Sequence, residues 1–277
     1  MKSPEFEAPR TAVGVVTILR RYPVKSMQGE TTDTAAVTLR GLAGDRAFAL
    51  VDVETGKIAS AKNPRKWPDL LNYRARLVTQ PVPGTPPKAE IVCPDGETVM
   101  SDQRDAASIL SYRLGRTVAI ASSVPEKPTL EEYWPDIEEL PHRDDVTDEA
   151  MPAGTFFDCA SVHLLTTASL RRYEELYPEG IWDVARFRPN ILIETGDDVA
   201  GFVENGWIGR TIQVGNALLK ITGGTPRCTM TTAAQRDLPA DLDILRTAAR
   251  HNDAHVGVYA TVVTGGEVRR GDSVVLR

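Results

Sequence analysis

The 277-residue sequence predicts a mainly β protein with a few helices, an α+β class, on three observations. Short β-branched segments recur between Gly, Pro and Asp turns along most of the chain. Helical spacing of apolar residues is confined to a few stretches. A segment rich in proline and acid, from Pro125 to Pro152, divides the chain into halves that are each long enough to bury a core.

In order, Val13 to Leu19 and Ala35 to Leu39 read as strands. Arg46 to Asp52, Glu54-Thr55-Gly56 and Lys57 to Ser60 read as a hairpin. A second hairpin runs from Ala89 to Met100 around Asp95-Gly96, and Ser101 or Asp102 is placed to cap a helix ending at Leu114. This half favours a small barrel or sandwich. In the segment from Pro125 to Pro152, Pro128, Pro135 and Pro141 alternate with acids such as Glu131, Glu132 and Asp144, a composition expected of a linker or long surface loop. The second half opens with a strand, Ser161 to Leu165, and a helix from Thr167. Strands follow at Asn190 to Glu194, Thr211 to Val214 and Ala217 to Ile221, then a helix at Asp241 to His251. The last strands are Val256 to Val263 and Ser273 to Leu276.

Composition excludes several classes. Apolar residues make up 42% and charged residues 25%, as in a globular protein. The net charge of −6 argues against a nucleic-acid partner. Three scattered cysteines form neither a disulfide framework nor a zinc or iron–sulfur ligand set, which predicts a reducing compartment. The first nine residues lack the apolar run of a signal peptide, and no stretch approaches the roughly 18 apolar residues of a membrane span. A cytoplasmic protein without membrane attachment is expected.

Cys228 lies in Gly223-Gly224-Thr225-Pro226-Arg227-Cys228, which reads as a tight, irregular loop after the strand ending at Ile221. Glycine permits close approach of a bound group, and the adjacent arginine is expected to favour thiolate, the form that ligates a soft metal or attacks an electrophile. A small buried cysteine is the competing interpretation. Cys93 and Cys159 lack such neighbours and read as structural. A basic set also stands beside turns and strand ends: Lys25 and Ser26, Arg46, Arg186, Arg188 and Asn190, a pattern suited to phosphate and equally compatible with surface ion pairing. His251 and His255 have a zinc-like spacing, but Asn252-Asp253 between them reads as a helix end. His163 reads as a hydrogen-bonded core residue.

Taken together, Arg186-Phe187-Arg188-Pro189-Asn190, Trp207-Ile208-Gly209, Arg227-Cys228-x-Met230-Thr231-Thr232 and Gly257-Val258-Tyr259-Ala260 resemble, in order, the MOSC domain (molybdenum cofactor sulfurase C-terminal domain). Tyr22-Pro23-Val24-Lys25-Ser26, Gly41-Leu42-x-Gly44-Asp45-Arg46 and Ser60-Ala61-Lys62 resemble the β-barrel domain that precedes it in one branch. That branch includes the mitochondrial amidoxime-reducing component and bacterial enzymes that detoxify hydroxylaminopurines. The resemblance implies an N-terminal β-barrel-like domain over residues 13–124, a linker over 125–152 and a MOSC β-barrel over 153–277.

The resemblance further implies a molybdenum–pterin cofactor (molybdopterin), with Cys228 as catalytic residue and metal ligand. Lys25, Ser26, Arg46, Arg186, Arg188, Asn190 and Arg227 are implied to hold the pterin and its phosphate. A family-level association with pyridoxal phosphate binding comes with it. The implied function is an oxidoreductase that reduces N-hydroxylated small molecules, and the alternative is a sulfur carrier with a persulfide on Cys228. No ferredoxin-like domain follows Arg277, so a separate electron donor of ferredoxin or flavoprotein type is expected. Ala233-Ala234-Gln235 departs from the acidic turn frequent in the reductase branch.

Overall fold

The computed structural model describes residues 10–82 and 87–277; the amino-terminal segment read for targeting signals lies outside them. The strands of the first half are β1 (Thr11–Arg21), β2 (Glu30–Thr31), β3 (Thr34–Thr38), β4 (Gly41–Leu42), β5 (Ala49–Asp52), β6 (Arg74–Leu77), β7 (Ala89–Val92) and β8 (Thr98–Met100). Helix α1 (Ala106–Leu114), β9 (Val118–Ala121), β10 (Thr129–Trp134) and β11 (Asp145–Ala150) follow. The second half holds β12 (Val162–Thr166), α2 (Thr167–Leu176), α3 (Val184–Phe187), β13 (Ile191–Glu194), β14 (Thr211–Val214) and β15 (Ala217–Pro226). It ends with α4 (Asp243–Asn252), β16 (His255–Thr264), β17 (Gly266–Arg269) and β18 (Ser273–Leu276).

Seven strands close a barrel in the order β13, β12, β16, β15, β14, β18, β1, with β1 pairing back onto β13. Closure leaves no free edge along the ring. The first strand of the chain therefore completes the barrel of the second half, with Val16 facing Ile193 and Ala12 facing Val275. A register shift between Val16 and Ile18 breaks the alternation of β1 and lets Val16 and Leu19 both face inward, where they meet Leu164, Ile191, Leu219, Val258 and Val274. The remaining first-half strands form short sheets around a second core of Val24, Met27, Leu50, Trp67, Leu70, Ile91 and Leu110. Met230 and Cys228 of the second half pack on that core, so the cysteine segment sits where the two halves meet.

Three local expectations change. The segment from Pro125 to Pro152 contains the antiparallel pair β10 and β11 and is not an unstructured linker or loop. Leu130 buries with Ala49, Ile58 and Phe156, while Lys57, Lys62 and Lys66 neutralise Glu131 and Glu132 on the same strand. Prolines bound this hairpin without interrupting either strand. The Gly-Gly-Thr-Pro run does not form a loop: β15 continues through Pro226, bulged between Ile221 and Gly223 and again between Gly224 and Pro226. Gly224 makes room for His255, whose ring Cγ lies 2.7 Å from where a Cβ would stand. Helix α1 begins after Asp105 rather than at Ser101 or Asp102, and Asp105 makes no side-chain capping bond. By contrast, Thr166 caps α2 through a bond from the Ser169 amide.

Candidate active site

Cys228 lies two residues past the bulged end of β15, at the start of a short 3-10 turn over Thr229–Thr232. Its half-buried thiol faces a cleft between the two halves, whose wall includes Lys25, Arg46, Lys62, Arg188 and Arg227. Cations from five separate segments of the chain thus share one cleft wall with Cys228.

Each is fixed by a different device. Lys25 Nζ donates to Asp158 Oδ1 at 2.5 Å and to the Phe156 carbonyl at 3.0 Å. Burial draws the Lys25 ammonium below its ordinary range, while Asp158 opposes that. Asp158 is itself held well below the usual carboxylate range: its burial acts upward, and Lys25 and Lys62 outweigh it. Lys62 pairs with Glu132 at 2.9 Å. Burial acts to lower it, yet Asp158, Cys228 and Glu132 hold it well above an ordinary lysine.

Ser26, Arg46 and Arg188 all adopt left-handed backbone, with φ of 66°, 47° and 55°. For non-glycine residues this costs on the order of 1–3 kcal/mol each and concentrates at functional sites. The Arg46 and Arg188 guanidinium carbons lie 4.5 Å and 4.2 Å from the Tyr22 ring centroid, and cation–π attraction holds both in place. Burial, with Arg46 close by, lowers the Arg188 guanidinium to about 10. Asp45 ties this group together. Its carboxylate accepts from the Tyr22 amide at 2.6 Å, from Arg46 at 2.5 Å and from Asn190 Nδ2 at 2.9 Å.

Several predicted residues in the cleft spend polar groups on the protein itself. Arg186, 1% exposed, donates to the carbonyls of Ile181, Thr231, Ala233 and Pro239, which makes it a strut beneath the cysteine turn. Asn190 accepts the His163 amide and donates to Asp45, and Ser26 Oγ accepts the Ala61 amide. Arg227 donates to the Thr225 and Phe187 carbonyls, so it braces the strand end rather than pairing with the neighbouring sulfur.

The expected bias of Cys228 toward thiolate is reversed. Burial first, then Glu132, raise its thiol to about 11, and Lys62 compensates only in part. Sequence reasoning also missed Asp45, Lys62, Glu132 and Asp158 as individual site residues. Asp45 and Lys62 stood inside recognised segments, whereas Glu132 and Asp158 carried no local signal. Cys159 lines the cleft as well and is exposed. His163 is buried as expected, with its Nε2 3.0 Å from the Val256 carbonyl. His251 and His255 fall on α4 and β16, with Asp253 and Ala254 left-handed between them, and share no helix face. Among the described residues no group of three or more His, Cys, Asp or Glu is arranged to hold a metal ion, and no helix is long and apolar enough to cross a membrane.

These features define a two-part β protein built around a closed barrel, with a cysteine set in a cation-lined cleft. The chain belongs to the MOSC family: the MOSC domain matches residues 152–275, and the MOSC N-terminal beta barrel domain matches residues 13–109. MOSC domains are associated with molybdenum-cofactor binding at family level. Among solved structures, the chain is similar to APC1665, the YUAD protein from Bacillus subtilis, at 11% identity and TM-score 0.43, covering 97% of each chain. YiiM from Geobacillus stearothermophilus is 17% identical at TM-score 0.33, over 43% of this chain and 54% of that one. YiiM from Escherichia coli is 13% identical at TM-score 0.33, over the same shares, 43% and 54%. Among curated proteins no match is found.

Proposed function

We propose that the cleft holds a molybdenum–pterin cofactor with Cys228 as its protein ligand, and that the protein reduces N-hydroxylated compounds such as amidoximes or hydroxylamines. The carrying observation is the donor set: the Cys228 sulfur, at the meeting of the two halves, shares one cleft wall with Lys25, Lys62, Arg46, Arg188 and Arg227, and no group of three or more His, Cys, Asp or Glu among the described residues stands ready to complete a metal site. One sulfur cannot fill a metal's coordination sphere, so the remaining ligands must arrive with an anionic cofactor, and the cations suit that charge. Arg46 and Arg188 supply guanidinium forks, while Lys25 and Lys62 supply compact charges already oriented by Asp158 and Glu132.

When bound, the cofactor supplies two-electron redox chemistry at its metal. Cys228 would hold the metal as a thiolate, since a thiol that coordinates a metal loses its proton. Tyr259, on the cleft wall, keeps its phenol proton: burial raises it to about 12, which leaves a neutral donor on that wall. Lys62 remains a cation at the same wall. Converting N–OH to N–H consumes two electrons and two protons and releases water. A separate ferredoxin- or flavoprotein-type donor therefore belongs to the proposal.

The cations that share the cleft wall with Cys228 favour this function over a persulfide carrier, since a bare persulfide gives them no large anion to hold. Pyridoxal phosphate is a weaker occupant, since Lys25 and Lys62 are both held in ion pairs. The test is reduction of benzamidoxime by cofactor-loaded protein with a chemical electron donor. Activity in the wild type, lost in Cys228→Ala, is expected; undiminished activity in the variant contradicts the role of the thiolate.

A further inference from the structure

A second pocket borders the Cys228 cleft and shares Arg188 with it. Its wall carries Arg20, Arg74, Arg76, Arg188, Arg236 and Gln235. We propose that this pocket anchors a phosphate group on the substrate whose other end reacts in the Cys228 cleft. The phosphate site stands on its own observations; only the identity of the reacting end rests on the function proposed above.

Four features point to an anion. Among the described residues, the Arg74 and Arg236 guanidinium groups have no hydrogen bond or ion pair. Arg20 makes one contact, 3.4 Å long, to the Thr31 hydroxyl, and Arg188 spends one N–H on the Met27 carbonyl. Unpaired guanidinium groups gathered in a concavity attract an anion, and their forks match phosphate oxygens.

Gln235 is the second feature. It is 1% exposed, yet its Nε2 amide has no hydrogen-bond partner among the described residues. A buried amide donor left unpaired costs about 1–3 kcal/mol, and Gln235 is itself a residue of the pocket wall, where an acceptor seated against it would remove that cost. Third, Arg236 has a left-handed backbone at φ 53°. Reciprocal bonds between Gln235 and Leu238, at 3.0 Å and 2.9 Å, hold this turn and present the arginine at the pocket.

Fourth, the one carboxylate among the described lining residues is already neutralised. Glu30 is paired to Arg21 at 2.6 Å and accepts the Leu77 amide at 3.1 Å. Arg76 is tied to Glu90 outside the lining and contributes less. Two free guanidinium groups, two partly free ones and an orphaned amide suit a dianion with three acceptor oxygens better than a singly charged carboxylate.

The test is calorimetric titration of the full chain with inorganic phosphate at low ionic strength, alongside molybdenum content by elemental mass spectrometry. Arg74→Gln/Arg236→Gln is compared with the charge-matched control Arg172→Gln/Arg246→Gln, which removes two exposed arginines from α2 and α4. The proposal expects phosphate affinity to fall roughly tenfold or more in the pocket variant, to hold in the control, and molybdenum content to stay level. Equal affinity in pocket variant and wild type, or no binding by the wild type at millimolar phosphate, overturns the site. An equal fall in the control shows a diffuse charge effect and also overturns it. A parallel fall in molybdenum content assigns the pocket to the cofactor and overturns the substrate anchor. Loss of metal in Cys228→Ala, or its absence throughout, bears on the redox function alone.

Discussion

Asp45 and Asn190 meet at 2.9 Å, Nδ2 donating to Oδ2, across 145 positions of chain. The bond joins the turn after β4 to the start of β13, and the same Asp45 carboxylate holds Arg46 and the Tyr22 amide. The first-half motifs and the second-half barrel are thereby locked in one arrangement around the cleft. Asp45→Ala strands three donors in a buried place and is expected to cost about 3–5 kcal/mol of unfolding free energy. Urea denaturation measures this, and a loss below about 1 kcal/mol contradicts the hub.

Arg186 separates scaffold from ligand contact. Its guanidinium serves the carbonyls of Thr231, Ala233, Pro239 and Ile181. Arg186→Met is expected to lower stability by about 3 kcal/mol by leaving those carbonyls unpaired. Arg46→Gln is expected to lower cofactor retention with a smaller stability loss. Thermal denaturation and pterin content of both variants, measured together, distinguish the two roles.

His163 makes stability fall on the acid side. Burial first, and then Arg227, hold its imidazole well below the ordinary value of 6.5, so it is neutral when folded. The unfolded chain takes up that proton below about pH 6.5 while the folded protein does not. Its contribution is complete above that pH and is lost as pH falls toward the folded value, with a slope of up to about 1.4 kcal/mol per pH unit. His163→Gln is expected to flatten this limb of the stability profile; an unchanged slope between pH 6.5 and 5 contradicts the assignment.

Burial, and after it Glu132, keep the Cys228 proton in place. The cofactor-free thiol, raised to about 11, is expected to react slowly with iodoacetamide at pH 7.5. Glu132→Gln removes the nearby negative charge, so the thiol's pKa falls and alkylation speeds up. Peptide mass spectrometry follows Cys228 separately from Cys159. Slower alkylation in the variant contradicts this electrostatic account.

How much of this was legible in the sequence depended on the range of each interaction. The β-branched run Val13 to Leu19 and the Asp95-Gly96 turn are local signals, and the strand and hairpin are where they predict. The first strand's partners, β13 and β18, lie far along the chain, so nothing in Val13 to Leu19 revealed that it closes the second barrel. The Pro125 to Pro152 segment misled because its acids are read singly as solvated. Glu131 and Glu132 are instead matched by Lys57, Lys62 and Lys66, lysines some 70 positions earlier. Proximity to Arg227 suggested a thiolate at Cys228, but that arginine turns toward Phe187, while burial first and then the distant Glu132 push the thiol up. The cleft's left-handed residues, Ser26, Arg46 and Arg188, were named from their segments, while their backbone conformation had no signature in composition.

The most direct test of the central claim is molybdenum content by elemental mass spectrometry, on wild type and Cys228→Ala made in a host that synthesises the cofactor. The account predicts near-stoichiometric metal in the wild type and its loss in the variant, with both proteins folded. Equal metal in the two, or none in the wild type, contradicts Cys228 as the ligand of a molybdenum–pterin cofactor.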